Sequence, residues 1–128
     1  MTIQRSYGKT IHPFACPKPD SDAILLGGLG EDLNRWTRVL TQRAAKLLWY
    51  QLGCALYPEN FREKTAQLTT LPIRSALLPS VTTDLRVDTL REDEFEVIGL
   101  GSASTWSTHL RADAAQQLWA ALDDLLKA

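Results

Sequence analysis

Apolar residues recur at steps of three and four in the second quarter of the chain. This spacing places them on one side of an α-helix, because a helix completes a turn about every 3.6 residues. Glu31 and Asp32 supply negative charge at the start of the pattern, where the helix dipole favours it, and Pro58 ends it. We therefore predict one long helix over residues 31–55, with an apolar stripe of Leu33, Trp36, Leu40, Ala44, Leu47, Leu48, Leu52 and Ala55.

A second helical pattern covers residues 112–127. Asp113 followed three residues later by Gln116 resembles a capping pair in the first turn of a helix. The apolar residues that we expect to face the protein interior are Leu118, Trp119, Leu122, Leu125 and Leu126.

Alternation of apolar and polar residues predicts strands in much of the remaining sequence. The clearest run is at residues 81–89, where Val81, Leu85 and Val87 alternate with polar or charged neighbours. Shorter runs predict an edge strand at 2–7, a buried strand at 23–26, and two further strands at 95–97 and 104–110.

Prolines mark where regular structure is interrupted. Pro13, Pro17 and Pro19 predict a loop over residues 13–22. Pro72 restricts a possible strand at residues 71–78 to the edge of a sheet, because proline has no N–H to donate. Residues 60–67 are compatible with a short helix or an irregular turn.

These elements predict one α+β domain spanning residues 1–128. Short turns between successive strands favour an antiparallel meander of about four to six strands, with the long helix and the shorter helix packed on one face. The opposite face of the sheet would then be exposed to solvent or covered by a partner.

Composition agrees with a globular protein in a reducing compartment. Hydrophobic residues make up 45% of the chain and charged residues 23%, both close to the globular average. Cys16 and Cys54 are too few for a disulfide framework. We find no signal-peptide pattern and no apolar run of about 20 residues that could span a membrane. We therefore expect a soluble, cytoplasmic protein.

No motif for cofactor binding emerges. Gly27, Gly28 and Gly30 precede the predicted long helix, but Leu33 stands where the dinucleotide fingerprint requires another glycine. The carboxylate of Glu31 would also repel a phosphate at this position. We interpret the segment as a glycine-rich turn followed by a helix cap, and we expect no cofactor.

Candidates for metal binding and catalysis are equally sparse. His12, Cys16, Cys54 and His109 lack the closely spaced pairs of structural zinc sites, so we expect no metal. Ser104 and His109 are an odd number of residues apart, which places them on opposite sides of a strand and disfavours a nucleophile–base pair. We therefore expect a protein that is not an enzyme.

The long predicted helix carries Arg35, Arg38, Arg43 and Lys46 at helical spacing, opposite its apolar stripe. These residues form either an ordinary solvated face or a contact for phosphate or for an acidic protein surface. Trp49 and Tyr50 widen the apolar side of the same helix, which favours a partner or a homodimer. The six residues are our candidates for partner binding.

Two short segments carry a resemblance to other proteins. The opening seven residues, MTIQRSY, and the segment from Trp106 to Leu122 resemble small uncharacterised proteins of cyanobacteria. The resemblance implies a bacterial source and compartment, and it implies no functional residue.

Three functions remain open at this stage. The leading hypothesis is a non-enzymatic interaction or assembly protein that binds a protein partner or a second copy of itself. The first alternative is a module that binds single-stranded nucleic acid through the basic face of the long helix. The charge balance weighs against this alternative, because the net charge is −1. The second alternative is a small-ligand carrier with a pocket between helix and sheet.

Overall fold

The computed structural model describes residues 3–19, 21–60, 81–101 and 104–127. Within these residues it contains seven β-strands, two α-helices and one 3₁₀ turn at Pro58–Asn60. The strands are β1 (Ile3–Lys9), β2 (Ile11–Pro17), β3 (Ile24–Leu29), β4 (Arg35–Leu40), β5 (Val81–Arg91), β6 (Glu94–Gly101) and β7 (Ser104–Arg111). The helices are α1 (Gln42–Leu56) and α2 (Ala112–Lys127).

The strands form one mixed sheet in the order β1-β7-β6-β5-β4-β3-β2. β1 pairs with β7 in parallel, and so does β4 with β5, while the other neighbours are antiparallel. The predicted antiparallel meander is therefore wrong, although the α+β class is correct. The parallel pair β4–β5 arises because α1 lies between these strands in the chain, and parallel strands need such a crossover.

The single long helix is also wrong, because its first part is strand β4. Trp36 and Leu40 are four residues apart, a spacing that places residues on one face of a strand as well as on one face of a helix. The helix begins only after Thr41, whose side-chain hydroxyl accepts a hydrogen bond of 3.1 Å from the N–H of Ala44. This cap separates strand from helix within one continuous apolar pattern.

The predicted loop at residues 13–22 is wrong in its first part. Pro13 and Pro17 belong to strand β2, which pairs with β3 and lies at one end of the sheet order. An end strand tolerates proline, because one side of its backbone has no strand to pair with. The pairing is irregular between Ile11 and Phe14, where His12 adopts a φ of 50°.

Other predictions agree with the structure. The strands expected near residues 2–7, 23–26, 81–89, 95–97 and 104–110 are present with longer bounds, and α2 occupies residues 112–127 as predicted. The predicted strand at 71–78 lies outside the described residues, as does all of the segment 60–67 except Asn60.

The sheet curls until its two ends meet. β1 and β2 stand at opposite ends of the strand order, yet only Thr10 separates them in the chain. The N–H of Thr10 donates to the carbonyl of His109 on β7, and the N–H of Glu31, just beyond β3, donates to the carbonyl of Tyr7 on β1. Tyr7 also stacks on Trp36 of β4, although three strands lie between β1 and β4. In a flat sheet these strands would be about 19 Å apart.

Both helices pack on the inner face of this curled sheet. The core combines Leu48 and Leu52 of α1 and Leu118 and Leu122 of α2 with inward residues of the strands, and all four are at most 2% exposed. Burial of apolar side chains on this scale supplies the main driving force for folding. Within the described residues, no helix combines the length and apolar character that a membrane crossing requires.

Candidate functional site

The four basic residues predicted to share a helix face do not share one surface. Arg35 and Arg38 lie on β4, where their odd separation directs them to opposite faces of the sheet. Arg35 is exposed on the outer face, whereas Arg38 is half-buried on the inner face. Arg43 and Lys46 lie on α1, and Nη2 of Arg43 is 3.8 Å from Oδ2 of Asp84. The structure therefore separates the residues that the sequence analysis grouped.

Trp49 and Tyr50 belong to the packing of the two helices. Tyr50 is buried. Trp49 is half-buried and stacks on Trp119 of α2, with ring centroids 6.5 Å apart. The indole N–H of Trp49 donates to Asp123 at 3.1 Å, and the indole N–H of Trp119 donates to the carbonyl of Trp49 at 3.1 Å. These contacts join α1 to α2 within one chain.

The structure shows a different cluster of aromatic and basic residues, centred on Tyr7. The Tyr7 ring stacks on Trp36 with centroids 4.4 Å apart and an angle of 4° between the planes, and Trp106 lies 6.3 Å away. The guanidinium carbons of Arg5 and Arg38 lie 5.4 Å and 5.7 Å from the Tyr7 centroid. We call these five residues the Tyr7 cluster.

Hydrogen bonds and strand geometry hold the Tyr7 cluster in place. Nε of Arg38 donates a bond of 2.7 Å to the Tyr7 hydroxyl. The indole N–H of Trp106 donates to Thr82 at 2.8 Å. The Trp106 ring also lies over Gly99, where a Cβ atom would come within 2.1 Å of it. Glycine is therefore required opposite Trp106, and the aromatic part of the cluster is rigid.

The two arginines of the Tyr7 cluster have no acidic partner in the described part of the chain, where neither forms an ion pair within 4.0 Å. The pKa of Asp32 lies below its usual range, mainly because the backbone and side-chain N–H groups of Asn34 donate to its carboxylate. The charge of Arg5 contributes least to this shift. Within the described residues, the cluster thus presents two positive charges that no ion pair neutralises.

The cluster was not predicted, because residues 35–40 were expected to be helical and not to form strand β4. Arg5 and Tyr7 are two residues apart on the strand that was predicted at residues 2–7, so they lie on the same face of that strand. Trp36 and Arg38 show the same two-residue spacing on β4, which indicates one face of a strand. That spacing was the available signal, but nothing in the sequence brings the two strands together.

A cavity of about 440 Å³ lies between the bend that joins β1 to β2 and the first turns of α2. Lys9, Ile11 and His12 line it on the side of the bend. Arg111, which ends β7, and Gln117 of α2 line the other side. The volume falls within the range of small-molecule sites in proteins.

His109 lies on the outer face of the sheet between two carboxylates. Its Nε2 atom is 3.0 Å from Oε2 of Glu96, and its Nδ1 atom is 3.7 Å from Oε1 of Glu94. Because the carboxylates contact different ring nitrogens, the three side chains do not converge on one point where a metal ion could bind. In the described ranges, no group of three or more His, Cys, Asp or Glu side chains has a metal-binding arrangement.

Comparison with known proteins adds no relative. No protein-family model matches the sequence, and no curated protein or solved structure matches it. The resemblance of the terminal segments to cyanobacterial proteins thus stays a prediction. The geometry of the molecule is the basis for the functional argument.

Proposed function

We propose that this protein is a non-enzymatic interaction protein that binds an acidic, extended segment of a protein partner at the Tyr7 cluster. The observation that carries the proposal is that the guanidinium groups of Arg5 on β1 and Arg38 on β4, two strands distant in sequence, both lie within 6 Å of one tyrosine ring. Arginine binds carboxylates through geometrically defined, charge-assisted hydrogen bonds, so this pair suits an acidic side chain.

The open side of β1 supports an extended partner. β1 is an end strand, and beyond its pairing with β7 the described residues give residues 3–7 one further backbone hydrogen bond, from Glu31 to Tyr7. Among the described residues, no further strand pairs with residues 3–6 on the side of β1 away from β7. An extended peptide can add to such an edge through its main chain while its side chains supply specificity.

A protein partner fits this surface better than a nucleic acid. Tyr7 already stacks on Trp36, which covers one face of the ring that a base would need. The four basic residues predicted to form one helix face lie on different surfaces, and the net charge is −1. A phosphate backbone is usually met by a continuous basic track on a clearly basic protein.

The proposal is tested with a fluorescent peptide of alternating glutamate and valine, titrated with the protein at two salt concentrations. We expect saturable binding that weakens about tenfold to a hundredfold in the variant Arg38→Gln, because a hydrogen bond to a charged group contributes about 1.5–3 kcal/mol. Arg5→Gln should weaken it similarly. The matched control Lys46→Gln removes one positive charge on α1 and should leave the affinity unchanged.

Two outcomes contradict the proposal. One is equal binding of a peptide in which glutamine replaces glutamate, since this would show that the arginines do not select carboxylates. The other is tighter binding of oligothymidylate than of the acidic peptide, with loss in the Arg5 and Arg38 variants. That result would establish the nucleic-acid alternative at the same surface.

A further inference from the structure

The cavity beside α2 differs in character from the Tyr7 cluster. It has a buried floor, formed by Thr10 and Ala114, which are 2% and 8% exposed. Ile11 lines its wall and is 45% exposed, so the cavity presents an apolar side chain to solvent. A ligand in the cavity would cover this isoleucine, so part of the ligand should be apolar.

The rim of the cavity is mainly basic. Lys9 and Arg111 carry fixed positive charge, and the imidazole of His12 lies beside them, whereas Asp113 is the one acidic residue of the lining. Among the described residues, none of these three basic side chains forms an ion pair. The rim is therefore complementary to a negatively charged group.

Backbone hydrogen bonds and the bend between β1 and β2 position the residues that line the cavity. The N–H of Thr10 is bonded to the carbonyl of His109, and the chain bends between the two ends of the sheet, where His12 adopts a φ of 50°. Residues 9–12 line one side of the cavity, and the start of α2, whose first residue donates its N–H to the carbonyl of Asp93, lines the other. Both walls of the cavity are thus anchored to the sheet.

We propose that this cavity binds a small organic anion, namely a monocarboxylate with an apolar body. The carboxylate lies at Lys9 and Arg111, and the apolar body lies against Ile11 and Ala114. This site is independent of the peptide surface proposed above, because the two share no residue.

The test uses hexanoate as the anionic probe and 1-hexanol as its uncharged analogue, with amide chemical shifts of the ¹⁵N-labelled protein as the readout. We expect hexanoate to bind saturably at about 1 mM or tighter and to shift the amides of His12, Ala114 and Gln117. Hexanol should bind about tenfold more weakly, because it lacks the charge that the rim selects.

The double variant Lys9→Gln with Arg111→Gln should lose about tenfold in hexanoate affinity, since both partners of the carboxylate are removed. The control is Arg35→Gln with Lys46→Gln, which changes the net charge equally but lies outside the cavity, and it should bind hexanoate normally. Equal affinity for hexanoate and hexanol, an unchanged affinity in the cavity variant, or shifts that do not saturate would each overturn the proposal. Arg5→Gln should also leave hexanoate binding unchanged, which separates this site from the Tyr7 cluster.

Discussion

At the scale of single residues, a buried chain of polar groups fixes the place where the sheet closes. The indole N–H of Trp36 donates to the Thr10 hydroxyl at 3.0 Å, and the Thr108 hydroxyl donates to the Gly8 carbonyl at 2.9 Å. The two threonine hydroxyls are also bonded to each other. Because an indole N–H can only donate and a carbonyl can only accept, Thr10 must donate to Thr108. Both threonine hydroxyls of this network are therefore satisfied as donors and as acceptors.

Replacement of Thr108 by valine should destabilise the protein by about 1–3 kcal/mol, because the proton of the Thr10 hydroxyl loses its acceptor and the Gly8 carbonyl loses the Thr108 donor. The measurement is the free energy of unfolding in urea. The control is Thr89→Val, the same chemical change at an exposed position of β5, which should stay within about 0.5 kcal/mol. Equal effects at both sites would show that the buried network contributes nothing to stability.

At the scale of elements, the sequence predicts helices and strands whose residue pattern has a single period. It fails where a strand pattern and a helix pattern overlap. α2 shows a helical period in the sequence, and residues 81–89 of β5 alternate between apolar and polar side chains over most of their length; both elements were predicted. β4 and α1 share one apolar stripe that fits either period over its first turns, so the boundary between them was missed. β2 was predicted as a loop because it contains prolines. Its position at one end of the sheet, which makes proline acceptable, follows from the fold and cannot be predicted from the sequence.

The boundary between β4 and α1 depends on Thr41, and it can be tested there. Thr41→Ala should cost about 1 kcal/mol of unfolding free energy, because the first turn of α1 loses its side-chain cap at Ala44. Thr41→Ser keeps a hydroxyl and should retain most of the stability. Thr37→Ala, at an exposed position of β4, serves as the control for the loss of a threonine. A loss as large in the serine variant as in the alanine variant would contradict the capping role.

At the scale of the whole molecule, the sheet consists of two parts that meet at two seams. β4 and β5 are in register at only two pairs, Val39 with Val81 and Leu40 with Thr82. The second seam is the bend at Thr10. The Tyr7 cluster exists because of this second seam, since β1 and β4 contribute its residues from opposite parts. It could not be predicted from the sequence, because residue spacing along a strand gives no information about how far a sheet curls.

Hydrogen exchange should show that the two seams open together. The Thr10 amide is bonded to His109 and the Thr41 amide to Thr82, one at each seam. The strands at one seam cannot separate while the other seam and the helices still hold them. Both amides should therefore exchange only when the whole molecule unfolds, at rates close to those of global unfolding. Fast exchange of the Thr10 amide alongside slow exchange in β6 and β7 would mean that the sheet is open in solution.

The bend at Thr10 also has a consequence for the nascent chain. Thr10 and Thr108 are 98 residues apart, so β1 leaves the ribosome long before its neighbour β7 has been synthesised. Contacts of such long range form late, and until then β1 is an unpaired strand that could associate with other chains. Charged side chains discourage that kind of association, and β1 carries Arg5 and Lys9. We therefore expect Arg5 and Lys9, which we propose for ligand recognition in the folded protein, also to oppose association of β1 with other chains during translation.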